Sequence, residues 1–195
     1  MKGNYKYNPS SDSNFVNGIP ISRSINVYGN GFTIDGNYQA RIFDITNYVN
    51  FNDINFINAK ADSGSEILGS NYAVTNCNFT NNYATSSGGA LQGGYATKCI
   101  FDGNTAENRG GAIYKGSADN CIFKNNRAIS ILEKSHGGAG CIRSGTSYTH
   151  CIFINNFADK GGALTFHGSG EIRNCTFINN TAGEYGGALS TGFLY

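Results

Sequence analysis

Residues 99–113 read Cys99-Ile-Phe-Asp-Gly-Asn-Thr-Ala-Glu-Asn-Arg-Gly-Gly-Ala-Ile113. The pattern Cys-x-Phe-x-x-Asn-x-Ala, followed by a Gly-Gly-Ala step, occurs five times in the second half of the chain. Its copies begin at Cys77, Cys99, Cys121, Cys151 and Cys175. A unit this short cannot bury a hydrophobic face by itself, so successive copies must stack into a solenoid.

Each copy has the pattern of short strands rather than of paired helices. Gly occurs 27 times, Asn is equally abundant and Pro occurs only twice, which is a composition rich in turn formers. The Cys and the Phe of a copy are two residues apart, so on a strand both side chains point to the same face. The sequence therefore predicts an all-β fold: a single-stranded right-handed parallel β-helix, or pectin-lyase-like solenoid, with roughly seven to eight turns.

Stacking places like residues of successive turns on top of one another. The predicted Phe column consists of Phe79, Phe101, Phe123, Phe153 and Phe177. The predicted Asn column consists of Asn82, Asn104, Asn126, Asn156 and Asn180. An Asn at a strand-ending bend can adopt a left-handed backbone conformation, and stacked Asn amides can form a hydrogen-bonded ladder. The Gly-Gly step supplies a backbone geometry that excludes a Cβ. We interpret these columns and the Cys column as structural.

The chain is predicted to be a single domain over residues 1–195. Residues 1 to about 20 are expected to cap the first open turn, because an exposed end turn is an unpaired strand edge. Residues 21–75 are expected to form degenerate first turns, in which Ala59 replaces the Asn and Gly64-Ser65 replaces the Gly-Gly. Residues 76–195 form the regular repeats. Residues 192–195 are expected either to fold over the last turn or, as we favour, to mark a cut through a longer array.

The repeat resembles known families. Phe-x-x-Asn with Gly-Gly-Ala-Ile or Gly-Gly-Ala-Leu resembles the repeat of the chlamydial polymorphic outer-membrane proteins. It is also similar to the repeat of adhesin-like surface proteins of methanogenic archaea, whose opening turns resemble residues 25–36, 41–45 and 54–58. The resemblance implies a right-handed β-helix in an extracellular, cell-surface location, with the signal and the anchor absent from this chain.

Charge and apolar content restrict the partners. Lys and Arg total 14 and Asp and Glu total 13, without a basic run, so a nucleic-acid partner is not expected. No segment reaches the roughly 20 apolar residues of a membrane span. The oligomeric state stays open.

Metal ions and cofactors are not expected. Five of the six cysteines occupy one column, where an odd number cannot pair fully, so we expect buried free thiols. The sequence lacks Cys-x-x-Cys, and its three His residues show no ligand spacing.

Catalytic residues are not evident, because the carboxylates are scattered rather than paired as a glycosidase requires. The best catalytic set would come from two insertions, residues 129–136 and 140–150, since insertions in solenoids form loops on one face. Those candidate catalytic residues are Glu133, Lys134, His136, Arg143 and His150. A solvated loop explains them equally well.

We therefore predict a non-catalytic, adhesin-like surface module that binds a glycan or protein of a host or neighbouring cell, or that serves as a stalk. The alternative is a polysaccharide-degrading lyase or glycoside hydrolase of the pectin-lyase-like fold. Sugar binding would use exposed aromatic rings with polar partners. The candidate ligand-binding residues are Tyr95, Tyr114, Arg143 and Tyr148, and Tyr83 and Tyr185 are further aromatics expected to face outward.

Overall fold

The computed structural model describes residues 1–191, which form a parallel β-solenoid of about 7 turns. Every strand pairing is parallel and joins a strand to its equivalent in the next turn, as Ile100–Asp102 joins Ile122–Lys124. The predicted all-β parallel solenoid is confirmed. The C-terminal residues 192–195, for which we expected a cover or a cut, lie outside the described residues.

Four sheets run along the solenoid, and a regular turn contributes one strand to each. Sheet 1 contains Ile25–Tyr28, Val49–Asn52, Tyr72–Thr75, Tyr95–Thr97, Ser117–Asp119, Ser147–Thr149 and Glu171–Arg173. Sheet 2 contains Tyr5–Lys6, Thr33–Asp35, Asn55–Ile57, Asn78–Thr80, Ile100–Asp102, Ile122–Lys124, Ile152–Ile154 and Thr176–Ile178. Sheet 3 contains Lys60–Ser63, Tyr83–Ser87, Thr105–Ala106, Arg127–Ala128, Phe157–Lys160 and Thr181–Tyr185. Sheet 4 contains Asn17–Ile21, Arg41–Ile45, Ile67–Leu68, Leu91–Gln92, Ile113–Tyr114, Gly140–Ile142, Leu164–Phe166 and Leu189–Thr191. A 3₁₀ helix, Ser13–Phe15, precedes the first strand of sheet 4.

The core is built from ladders of identical side chains. The rings of Phe79 and Phe101 stack with centroids 4.8 Å apart and planes 6° apart, and Phe123 continues the stack at the same spacing. Dispersion contacts between these buried rings hold successive turns in register. The six cysteine thiols are free. Burial raises the pKa of the Cys99 thiol well above its usual range, so it stays protonated.

The Asn ladder lies where the chain bends from sheet 2 into sheet 3. Asn104 Nδ2 donates to Asn126 Oδ1 at 3.0 Å and to the carbonyl of Phe79 at 2.9 Å. The same Oδ1 accepts from the Asn104 backbone N–H at 3.0 Å. Each buried ladder amide therefore bonds to the turns on either side of it.

The left-handed residues are not the ladder Asn, so that prediction was wrong. Positive φ occurs one position earlier, at 56° for Asn81, 67° for Gly103 and 58° for Asn125. The same holds before the Cys column, where Asn120 has a φ of 55°. The left-handed residue turns the chain, and the next side chain then points inward. This requirement accounts for much of the Asn content, because Asn tolerates this conformation well.

The Gly-Gly steps have the geometry that excludes a side chain. Gly110 has a φ of +62°, whereas Gly111 is restricted by space. A Cβ on Gly111 would lie 2.5 Å from the carbonyl oxygen of Arg127 and closer still to that of Gly138. The two turns therefore approach each other through bare backbone at this corner.

Candidate functional site

The residues one position before the Gly-Gly steps form a column at the corner between sheets 3 and 4, and three successive members of it are basic. Ser87, Arg109, His136 and Lys160 follow one another in successive turns and are joined by isolated parallel bridges. Like positions of neighbouring turns are roughly 4.8 Å apart, so these side chains form a row along the solenoid axis.

A second set of basic residues follows the strands of sheet 4. Arg143 comes directly after Gly140–Ile142, and His167 comes directly after Leu164–Phe166. The His167 ring packs edge-on against the His136 ring, with centroids 4.7 Å apart. Arg143 donates a hydrogen bond of 3.0 Å to the hydroxyl of Tyr114. We call Arg109, His136, Arg143, Lys160 and His167 the cationic cluster.

Mutual repulsion and burial lower the pKa values of both histidines in the cluster. Burial, followed by His136, Arg143, Arg109 and Lys160, lowers the pKa of His167 to about 4. Burial, Arg109 and Lys160 also lower the pKa of His136, although Asp159 and Glu133 act in the opposite direction. Both rings are therefore neutral at pH 7, and a nearby anion would favour their protonated forms.

The cluster holds buried nitrogen atoms without partners. Within residues 1–191, Arg109 Nε, Arg143 Nε and His136 Nδ1 are shielded from solvent and make no hydrogen bond. In the same part of the chain, Arg109, Arg143 and Lys160 form no salt bridge. Buried polar atoms in native proteins are nearly always bonded, so three unbonded nitrogens in one cluster are unusual. Chemically, the arrangement suits an anion.

Three segments of the chain, residues 76–94, 98–115 and 174–192, match the family model of the Chlamydia polymorphic membrane protein repeat. The chain carries this repeat. Neither the curated proteins nor the solved structures contain a match. The Chlamydia polymorphic membrane protein repeat suggests a surface, adhesin-like β-helix.

The matched segments contain only part of the cationic cluster. Arg109 lies within the second matched segment, whereas His136, Arg143, Lys160 and His167 lie between the second and the third. Most of the cluster therefore lies outside the segments that match the family model.

The structure separates the predicted catalytic residues. His136 and Arg143 come together, but Lys134 forms an ion pair of 2.7 Å with Glu184. His150 Nδ1 lies 3.0 Å from a carboxylate oxygen of Asp119, at the corner between sheets 1 and 2. Glu133 lies in the exposed insertion, next to Leu132, whose side chain is almost fully exposed. These residues do not form one site.

The predicted tyrosines do not form an aromatic platform. Tyr148 was expected to face outward, and this is wrong, because it is fully buried with its ring centroid 5.7 Å from that of Phe123. Its strand pairs it with Ala118 in the preceding turn and with Ile172 in the next, so Tyr148 occupies an inward position. Tyr114 lies beside Arg143 but is almost wholly buried, and Tyr95 is exposed on sheet 1.

Sequence reasoning missed Arg109, Lys160 and His167. Arg109 and Lys160 precede a Gly-Gly step, as His136 does, so an alignment of the repeats at that step would have found the row. His167 lies in residues 165–170, a segment that is longer in the fourth copy than in the regular ones, and no repeat position identifies it.

Several carboxylates near the surface bond to other side chains and are not paired with one another. Asp102 pairs with Lys124 at 3.1 Å, and Glu107 accepts a hydrogen bond from the Tyr83 hydroxyl. Asp159, which adjoins the cluster, accepts bonds from the Ser135 hydroxyl at 3.1 Å and from its backbone N–H at 3.0 Å. In residues 1–191 no group of three or more His, Cys, Asp or Glu could hold a metal ion. No helix in that range is long and apolar enough to cross a membrane.

Glu66 is the exception, because it lies wholly inside the solenoid. It occupies the position that Ala90 holds in the next turn, and neither carboxyl oxygen has a hydrogen-bond partner within residues 1–191. Burial, and then the charge of Asp35, raises the pKa of Glu66 well above its usual range. The folded protein therefore keeps this carboxyl protonated at pH values where the unfolded chain ionises it.

This burial predicts a stability that falls with rising pH. The contribution of Glu66 is complete below its unfolded pKa of about 4.3 and is lost as the pH rises through the raised folded pKa, at about 1.4 kcal/mol per pH unit. We expect Glu66→Gln to remove this slope, so that the variant gains stability over the parent chain as the pH rises through the range in which only the unfolded chain ionises Glu66. Urea denaturation at several pH values measures it. Glu171→Gln, at an exposed carboxylate, is the control, and parallel pH profiles for parent and Glu66→Gln would refute the assignment.

Proposed function

We propose that this chain is a non-catalytic, adhesin-like module of a cell surface, which binds a glycan or a protein of a host or neighbouring cell. The observation that carries the proposal is the cationic cluster, in which Arg109, Arg143 and Lys160 have no carboxylate partner within residues 1–191. A stalk does not require such a group, because a half-buried positive charge without a carboxylate partner destabilises the fold. An extracellular location is supported by the Chlamydia polymorphic membrane protein repeat.

Catalysis is disfavoured by the arrangement of the carboxylates. Glycoside hydrolysis requires two carboxyl groups on opposite sides of one sugar bond, at separations of roughly 5–10 Å. Asp159 adjoins the cluster but is bonded to Ser135, and Glu184 is paired with Lys134, so the two carboxylates have separate partners. The cluster itself contains basic side chains and no pair of carboxyl groups.

A panel of polysaccharides and intact cells tests this proposal. The purified chain is incubated with each polysaccharide, and retained ligand and newly formed reducing or unsaturated ends are scored in the same wells. The proposal expects retention without new ends, with heat-unfolded chain as the control. New ends would establish the polysaccharide-degrading alternative, and absence of retention on every polysaccharide and every cell would favour a stalk.

A further inference from the structure

The cationic cluster has the shape of a strip along the solenoid axis. Arg109, His136 and Lys160 occupy three successive turns, so the outer two are roughly 10 Å apart at the usual strand spacing. Arg143 and His167 each follow directly after paired strands of sheet 4, and contact between the rings of His136 and His167 joins them to the first row. Basic side chains therefore occupy three successive turns, with the charged Arg109 and Lys160 on either side of His136.

The donors of the strip favour oxyanions. A guanidinium group presents paired N–H donors that match the planar geometry of a carboxylate, and it binds sulfate oxygens in the same way. The bound oxyanion would also compensate the repulsion that lowers the pKa values of both histidines. Neither effect requires a nucleophile or a metal ion.

The size of the strip distinguishes a polymer strand from a folded protein. A stable protein–protein interface covers about 800 Å² on each partner. A strip of two rows over three turns is far narrower than such an interface. A single extended polymer strand with an acidic group on each unit can place its charges along basic side chains that are spaced along the solenoid axis.

We propose that the cationic cluster binds an acidic polysaccharide, one that carries carboxylate or sulfate groups, laid along the solenoid axis. This inference rests on the proposed binding function and specifies its ligand class. Arg109, Arg143 and Lys160 contact the acidic groups, and His136 and His167 line the strip between them.

Titrations of the purified chain with defined polymers test the inference. The probes are polygalacturonate for carboxylate, heparin for sulfate, dextran as a neutral glycan and poly-glutamate as an acidic peptide. The test variant is Arg109→Gln/Lys160→Gln. The matched control is Arg23→Gln/Arg127→Gln, which removes the same charge from exposed residues outside the cluster. Circular dichroism confirms that both variants are folded.

We expect the test variant to bind polygalacturonate or heparin about 10- to 100-fold more weakly, because two charge-assisted hydrogen-bonding groups are lost, and the control variant to change by less than about 3-fold. Whichever polymer binds more tightly identifies carboxylate or sulfate as the acidic group. Equal losses in both variants, equal binding of poly-glutamate, or no binding of either acidic polysaccharide would overturn the inference. Retention of dextran or of cells by the test variant would overturn it while leaving the proposed binding function intact.

Discussion

Replacing Asn126 with Ala is expected to lower the free energy of unfolding by about 3–5 kcal/mol, because four buried hydrogen bonds depend on one side chain. Asn126 Nδ2 donates to Asn156 Oδ1 and to the carbonyl of Phe101, each at 3.0 Å. Its Oδ1 accepts from the backbone N–H and the Nδ2 of Asn104, each at 3.0 Å. All these groups are buried, so water cannot replace the lost partner.

Urea denaturation followed by circular dichroism measures this loss. Asn78→Ala is the control, because Asn78 is an exposed Asn of sheet 2 that also bonds its neighbour in the previous turn, donating to Asn55 Oδ1 at 2.8 Å. We expect the control to lose less than about 1 kcal/mol. A similar loss in both variants would mean that the buried ladder does not stabilise the solenoid more than a surface amide does.

Gly111→Ala is expected to be at least as damaging, with a loss of more than about 4 kcal/mol or failure to fold. The added methyl group would overlap the carbonyl oxygens of Arg127 and Gly138. Both are backbone atoms, and each belongs to a strand or a step that pairs with the turns beside it, so no side-chain rotation relieves the clash. The two turns would have to separate at this corner.

Soluble yield and thermal denaturation measure the effect of Gly111→Ala. Gly3→Ala is the control, because a Cβ on Gly3 meets no atom within 4 Å. Gly145→Ala is a second control, since Gly145 has a φ of +82° and open space around it, and it isolates the cost of left-handed backbone, about 1–2 kcal/mol. A Gly111→Ala chain as stable as Gly145→Ala would contradict the close approach of the turns.

The solenoid could be predicted because its determinants recur in every copy. Phe, Cys and Asn at constant offsets specify one inward ladder each, and stacking then follows from the shortness of the unit. The left-handed position was misplaced by one residue because several copies read Asn-Asn at the bend, as at Asn125-Asn126. The backbone angles and hydrogen bonds show that the first Asn of the pair has the left-handed conformation and that the second forms the ladder.

The candidate site was less predictable, because its residues are the ones that do not recur. His136 and Arg143 could be chosen as unusual residues of the insertions, but Arg109 and Lys160 become neighbours of His136 only once the Gly-Gly steps are stacked. Tyr148 lies in an inward column whose residues differ from turn to turn, from Ala118 to Ile172, so no repeated residue type reveals its direction. Glu66 was not predicted to be buried, because it lies in a degenerate turn and the regular copies have Ala at its position.

Histidine titration by NMR, with and without polygalacturonate or heparin, tests most directly whether the cationic cluster is a binding site. The chain has only three His, and His150, beside Asp119 at another corner, serves as the internal control. A bound anion favours the protonated ring, so the pKa values of His136 and His167 are predicted to rise on saturation, whereas the NMR signals of His150 are predicted not to respond to the polymer. Unchanged titrations of His136 and His167, or an equal shift at His150, would contradict the assignment.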